Sequence, residues 1–183
     1  PRAPAPVRHS STWHWLAVFC LIVQIALGAL VSGSHAALSC QALLECPLPT
    51  PLPWSSLNAW QVPVFDPHTA PWYPDGALPH WLHRAGAAIC AVALLMSARY
   101  RAAAGDARGA ALLVTLTLCQ IGLGLLAIAN ALPLAVVLAH NLLAALLLAV
   151  AASAVALAPA PTSPPAATAV PSSSPAKRRK WLI

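Results

Sequence analysis

The amino-acid sequence predicts an all-α integral membrane protein. Four transmembrane helices should form a bundle of two pseudo-two-fold-related hairpins, with a long extracytoplasmic loop between helices 1 and 2. Three observations lead there. Hydrophobic residues fill 59% of the 183 positions and charged residues only 8%, with a mean hydropathy of +0.71, whereas a soluble surface needs about 25% charged residues to meet water. Four apolar stretches reach the roughly 20 residues that cross a bilayer core as helix. The basic residues gather on one side of those stretches, as the positive-inside rule requires.

The first stretch, 13–31, has Gln24 as its one strongly polar interior residue. The second is 81–98, the third 110–129, and the fourth, 132–158, is long enough to tilt or project beyond the bilayer. Leu, Ala and Val dominate all four without the alternation of a barrel strand, so closed helices must satisfy the backbone in lipid. The first stretch is far from any cleavage motif and matches the third too well to be a removed signal peptide. The chain thus divides into an N-terminal tail at 1–12, a bundle at 13–157 with its outer loop at 32–79, and a C-terminal tail at 158–183. That tail is a run of Ala, Pro, Ser and Thr that cannot build a core. Its basic KRRKWLI end is expected at an anionic membrane surface.

Nine of the ten Lys and Arg residues fall on one side: Arg2, Arg8, Arg99, Arg101, Arg108, Lys177, Arg178, Arg179 and Lys180. Both termini are therefore expected in the cytoplasm, at a bacterial or archaeal inner membrane or its equivalent. Three of the four acids, Glu45, Asp66 and Asp75, lie in the opposite loop. The net charge of +6 is thus topological; lipid is the partner, and a soluble enzyme, a disordered chain and a nucleic-acid binder are excluded. Arg84 is the one basic residue on the outer side. It either snorkels to the headgroups or acts as counter-ion to an anion at the outward N-terminus of span two.

Pro47, Pro49, Pro51, Pro53, Trp54, Trp60, Trp72 and Pro79 crowd the outer loop. Its length and aromatic content predict a folded cap, with headgroup anchoring by the tryptophans as the plainer reading. Cys40 and Cys46 lie on the oxidising side, where a disulfide would staple the base of the loop. Cys20, Cys90 and Cys119 fall inside spans and read as small buried hydrophobes.

Spans one and three share a pattern, Gln24-Ile25-Ala26-Leu27-Gly28-Ala29-Leu30 against Gln120-Ile121-Gly122-Leu123-Gly124-Leu125-Leu126. Spans two and four share a weaker one, starting at His83 and at His140. Two hairpins related by an axis along the membrane normal follow. An ionisable residue inside a span is a functional-site candidate and normally faces the bundle interior. His83 and His140 both fall toward the outer half, though His83 stands nearer its helix start than His140. Two imidazoles facing each other across a four-helix core are what a haem iron takes as axial ligands. Gly86 and its neighbouring alanines would leave room for the macrocycle, and Arg84 would neutralise a propionate. The plain alternative is a pair of interhelical hydrogen-bonding histidines; structural zinc lacks a four-ligand set. His35, His68 and His80 lie on the outer side, where they would assist a metal, move protons or be polar loop residues. His9 and His14 fit simple interfacial placement at the cytoplasmic end.

With these residues in order, the chain resembles the haem A synthase family. The resemblance rests on Leu27-Gly28-Ala29-Leu30-Val31, Leu38-Ser39-Cys40 through Cys46, His83-Arg84, the 120–124 stretch, Leu132-Pro133 and His140. It covers roughly 24–150 apart from much of the long loop. Family members hold two such bundles in one chain, so this chain resembles a half-size member whose second bundle a homodimer or partner chain would supply. The resemblance implies His83 and His140 as axial ligands of a b-type haem and Cys40–Cys46 as a loop disulfide. It also implies the family reaction, oxidation of the C8 methyl of haem O to the formyl of haem A for terminal oxidases, with quinone as a possible electron acceptor. The family's functional glutamate, three residues before the first histidine, is His80 here. His80 would then replace it as a catalytic proton acceptor. Two other readings stay open: a b-type cytochrome passing electrons in a respiratory complex, and a haem-free structural or assembly subunit of an oxidase.

Overall fold

The structure, a computed structural model, describes residues 11–40, 46–60, 68 and 74–156. Arg2, Arg8, His9, Glu45, Asp66, Trp72 and the C-terminal tail with its basic end lie outside the described residues. Four helices, α1 (Ser11–Gly33), α2 (Ala77–Ala103), α3 (Ala107–Ala129) and α4 (Leu134–Ala156), make up the bundle. Each is long and apolar enough to cross a membrane, and the described residues contain no strand. The protein is an integral membrane protein, and its described residues form an all-helical fold with four membrane-spanning helices. The helices form a ring in which each packs on the next and α4 closes on α1, leaving α2 and α4 diagonal.

Helix α2 begins four residues before the expected span. Pro79 lies in its first turn, where a missing N–H removes no intrahelical bond. Gly76, just before it, packs so closely on Ser39 and Ala36 that a Cβ would have no space. At its far end α2 stops in a Schellman turn: Gly105 takes φ 89°, its N–H reaches Ala102 O, and Asp106 N–H reaches Arg101 O. Asp106 then caps α3 by accepting from Gly109 N–H at 2.9 Å.

This turn is clamped by Arg101, which the sequence offers only as one of the positive charges between spans. Its guanidinium is buried, pairs with Asp106 through Nε and Nη2 at 2.8 and 2.7 Å, and donates to Val150 O of α4 at 3.0 Å. Gly109 leaves the space that the guanidinium occupies. One side chain thus ties α2, α3 and α4 together.

The repeat extends well beyond the motifs that announce it. An offset of 96 carries buried Ala17, Leu21 and Val31 of α1 onto buried Leu113, Thr117 and Ala127 of α3. An offset of 57 carries buried Cys90, Leu94 and Ser97 of α2 onto buried Leu147, Ala151 and Ala154 of α4. Both odd-numbered helices also end alike. Ser34 and Asn130 each return a backbone and a side-chain hydrogen bond to the carbonyl one turn back, Leu30 O and Leu126 O. His35 and Ala131 then follow in left-handed backbone, at φ 55° and 53°.

Interior packing is uneven along the bundle axis. The apolar core (Ala17, Leu21, Cys90, Ala93, Leu94, Ala98, Ala110, Leu113, Leu147 and Ala151) fills the half where α1 begins. In the half nearer the outer loop, no residue of 22–30, 82–89, 118–126 or 134–146 is buried. Of the cysteines in the spans, Cys90 is buried, Cys20 half-buried and Cys119 exposed on the outside of the bundle; the expectation of three buried thiols therefore holds for Cys90 alone. The outward faces carry Phe19, Ile89, Leu118 and Leu142, the surface a lipid-embedded bundle presents.

Hydrogen bonds from Gly109 N–H and Arg101 hold the Asp106 carboxyl below the usual carboxylate range. A depressed folded pKa gives stability that is present above the unfolded value of about 3.9 and lost as pH falls through the folded value. Asp106→Asn keeps a capping oxygen but loses the charge beside Arg101. In detergent it should melt below the wild type near neutral pH, and the gap should close as the pH drops below ~4. A gap independent of pH would assign the loss to capping alone.

Candidate functional site

His83 and His140 share one level. His83 is the seventh residue of α2 counted from Ala77, and His140 the seventh of α4 counted from Leu134. Each stands about 9 Å below its helix start at ~1.5 Å rise per residue. The depth mismatch expected from sequence disappears because α2 starts early, at Ala77, and α4 starts after Pro133 rather than above it. The helices that carry them, α2 and α4, stand diagonally across the bundle.

Each histidine is held by its hairpin partner through a glutamine and a glycine one turn apart. Gln24 Nε2 lies 2.9 Å from His83 Nδ1 and also donates to His83 O at 2.9 Å. Gln120 Nε2 lies 3.1 Å from His140 Nε2. Gly28 and Gly124 sit at the ring edges, where an added Cβ would meet Cε1 at 3.2 Å and Nδ1 at 3.7 Å in both hairpins. Gln24 Oε1, Gln120 Oε1 and His140 Nδ1 are buried without a hydrogen-bond partner.

Sequence reasoning took the glutamines only as markers of the repeat and gave the glycines no role. The signal available was the Gln-x-x-x-Gly spacing, which puts both residues on one helix face and occurs at matching positions in spans one and three. Gly86 corrects an expectation. The space beside it, foreseen for a macrocycle, is taken by Gln24 Oε1 and Leu27 Cδ1 of α1.

Arg84 turns toward the loop. Its Nε donates to His80 Nε2 at 3.2 Å and its Nη2 to Cys40 O at 2.9 Å, so it does not simply snorkel. His80 is 3% exposed, and its Nδ1 is buried without a hydrogen-bond partner. A disulfide joins Cys40 to Cys46 with Cα atoms 4.7 Å apart, and both sulfurs lie against Ala77 O at 4.0 and 3.7 Å. Short 3-10 turns at Ala36–Leu38 and Trp54–Leu57 rest on α2, so the described parts of the loop do fold back onto the bundle. Trp60 stands out from it, 92% exposed.

The remaining candidates separate. His35 and His68 are exposed and apart from the pair. His14, expected at the interface, is buried with Nδ1 2.7 Å from Ser97 Oγ. Among the described residues no three His, Cys, Asp or Glu side chains gather as a metal cluster. A groove of about 530 Å³ lined by Leu95, Arg99 and Thr115 lies between α2 and α3, away from the histidine pair.

Comparison with known proteins fits this arrangement. The family model of the cytochrome oxidase assembly protein COX15-CtaA matches residues 1–152. A protein named heme A synthase from Methylobacterium radiotolerans is 35% identical over 161 residues, covering 81% of this chain and 40% of its own length. Those of the same name from Rhizobium rhizogenes and Allorhizobium ampelinum are 30% and 35% identical, each covering 75% of this chain and 37% of their own length. The chain therefore spans about two-fifths of the length of the curated relatives it matches. No solved structure matches.

Equal glycine–ring distances in the two hairpins predict equal responses to crowding. Gly28→Val and Gly124→Val should each destabilise the detergent-solubilised protein by about 1–3 kcal/mol, the usual cost of overpacking. Gly122→Ala, with nothing within 4 Å of its Cβ, should leave the melting temperature unchanged or higher. Strongly unequal losses at positions 28 and 124 would break the two-fold equivalence.

Proposed function

The chain belongs to the COX15-CtaA family of cytochrome oxidase assembly proteins, and from that premise we propose that it is a bis-histidyl haem protein acting in haem A formation. One observation carries the reading: two imidazoles, each the seventh residue of one of two diagonal helices, each backed by a glutamine and a glycine of its hairpin partner. The fit to a haem is supported by the buried, unpartnered His140 Nδ1. Gln120 takes Nε2 of His140 and leaves Nδ1 for a metal, whereas the Gln24 amide reaches both His83 nitrogens, at 2.9 and 3.4 Å, and His83 would give up the longer contact to bind one.

In this reading His83 and His140 hold the iron of a b-type haem, which supplies one-electron redox chemistry when bound. Arg84 would pair with a propionate. The disulfide fixes the Cys40 carbonyl and, through it, Arg84. Haem O and haem A are the proposed substrate and product: the C8 methyl and one water would become the formyl group, releasing four protons to solvent and four electrons to a membrane acceptor such as quinone. His80 would accept these protons in turn and pass them to solvent. Its Nε2 now accepts from Arg84, so Arg84 must release that nitrogen first. Both termini would be cytoplasmic and the loop extracytoplasmic. A second bundle, from a homodimer or a partner chain, and terminal oxidase subunits are the proposed partners.

The Arg84–His80 contact favours a second reading. With the position of the family glutamate filled by a histidine already engaged, the bundle would carry electrons as a b-type cytochrome without oxidising a methyl group.

Optical spectra of the detergent-purified protein, oxidised and dithionite-reduced, with pyridine extraction of haem, are the test. A low-spin spectrum lost in both His83→Ala and His140→Ala is expected. A colourless protein that takes up no added haem would overturn both haem readings and leave a structural subunit whose histidines only bind glutamines. Conversion of haem O to haem A in an oxidase-assembly host separates enzyme from electron carrier. Loss of conversion in His80→Ala with haem retained would assign His80 to the reaction. Arg84→Leu should lose haem more readily at unchanged helicity; full occupancy in that variant would confine Arg84 to anchoring the loop.

A further inference from the structure

We propose that Gln24 and Gln120 are positioning residues that fix the orientation and protonated nitrogen of the two histidine rings and thereby tune the iron those rings hold. The inference rests on the haem reading above. A glutamine that merely joined helices would need only some partner, and any exposed backbone carbonyl would serve. Here both amides go to the ring of the facing histidine from equivalent positions in two hairpins, Gln24 nearest Nδ1 of His83, with Nε2 at 3.4 Å, and Gln120 on Nε2 of His140. Both also leave the same atom, Oε1, buried and unpartnered.

The repeated vacancy has a chemical reading. Amide oxygen and nitrogen exchange places by a half-turn that costs no space. A metal-bound imidazole presents one bare nitrogen to the metal and carries its proton on the other, which normally donates to a carbonyl or carboxylate. After a half-turn each glutamine offers its Oε1 as that acceptor, and the unpartnered oxygens are satisfied. The glycines one turn on leave room for the ring edges, at Cε1 and Nδ1, beside α1 and α3 within reach of the amides. Gln24 would give up its bond to His83 O in turning, whereas Gln120 has no such second bond among its described contacts. Gln120 is therefore the freer of the two and the cleaner site to test.

The full chain, purified in detergent, would be titrated with ferric protoporphyrin IX, followed by spectrum and midpoint potential. Gln120→Leu should weaken binding about 10–100-fold, as loss of a ligand's hydrogen-bond partner does. Gln120→Glu keeps the size and offers a stronger acceptor, so it should retain binding with a more negative midpoint potential. This second variant carries the test if Gln120→Leu fails to fold. Thr117→Val removes a buried hydroxyl bonded only within α3, to Leu113 O, and should move neither quantity. Wild-type affinity and potential in both Gln120 variants would overturn the positioning role while leaving the haem reading intact. A wild type that binds no porphyrin would overturn the haem reading and this inference with it.

Discussion

A bilayer core solvates no polar group, and the bundle is arranged around that constraint. A polar side chain carried into a span must find a partner, on its own helix as Thr117 does or on a neighbouring one, since an unsatisfied group in hydrocarbon is costly. Four associations do this: His83 with Gln24, His140 with Gln120, His14 with Ser97, and Arg101 with Asp106 and the Val150 carbonyl. The two histidine–glutamine pairs lie at one level, and the His14 and Arg101 associations lie toward the other end of the bundle. Together they fix register and rotation, which interchangeable Leu and Ala contacts would leave loosely specified.

The two hairpins are alike in framework and unlike in equipment. Matching offsets bring buried positions, helix ends, glutamines, glycines and histidines into correspondence. The chemistry beyond that framework belongs to the first hairpin. Arg84 corresponds by offset to exposed Asn141 and His80 to Val137, and the disulfide loop faces a short turn through Leu132 and Pro133. A symmetric pair of rings is thus overlaid by a one-sided set of polar groups that distinguishes one edge of the site from the other.

The axial division of packing follows the same logic. One half of the bundle is closed by alanine and leucine and locked by Arg101, which gives a rigid base. The other half carries the histidine layer, with no buried residue at that level, and is held by glutamine amides, the disulfide and Arg84. Stability and site are assigned to opposite ends, so the site need not be close-packed for the bundle to persist.

The number of spans, the repeat, and the presence of two intramembrane histidines were all legible in the sequence. Span length, hydropathy and spacing are properties of the chain taken one residue after another, and crossing a bilayer imposes them directly. Other features were decided by the tertiary structure. These include the reach of Gln24 and Gln120 to the rings, the turn of Arg84 toward Cys40 and His80, the burial of His14 and Arg101, and the filling of the space at Gly86. Each depends on how a helix is rotated about its axis. In water an apolar stripe reveals that rotation. In lipid the outside of the helix is as apolar as the inside, so the sequence names the polar residues without saying which of them meet.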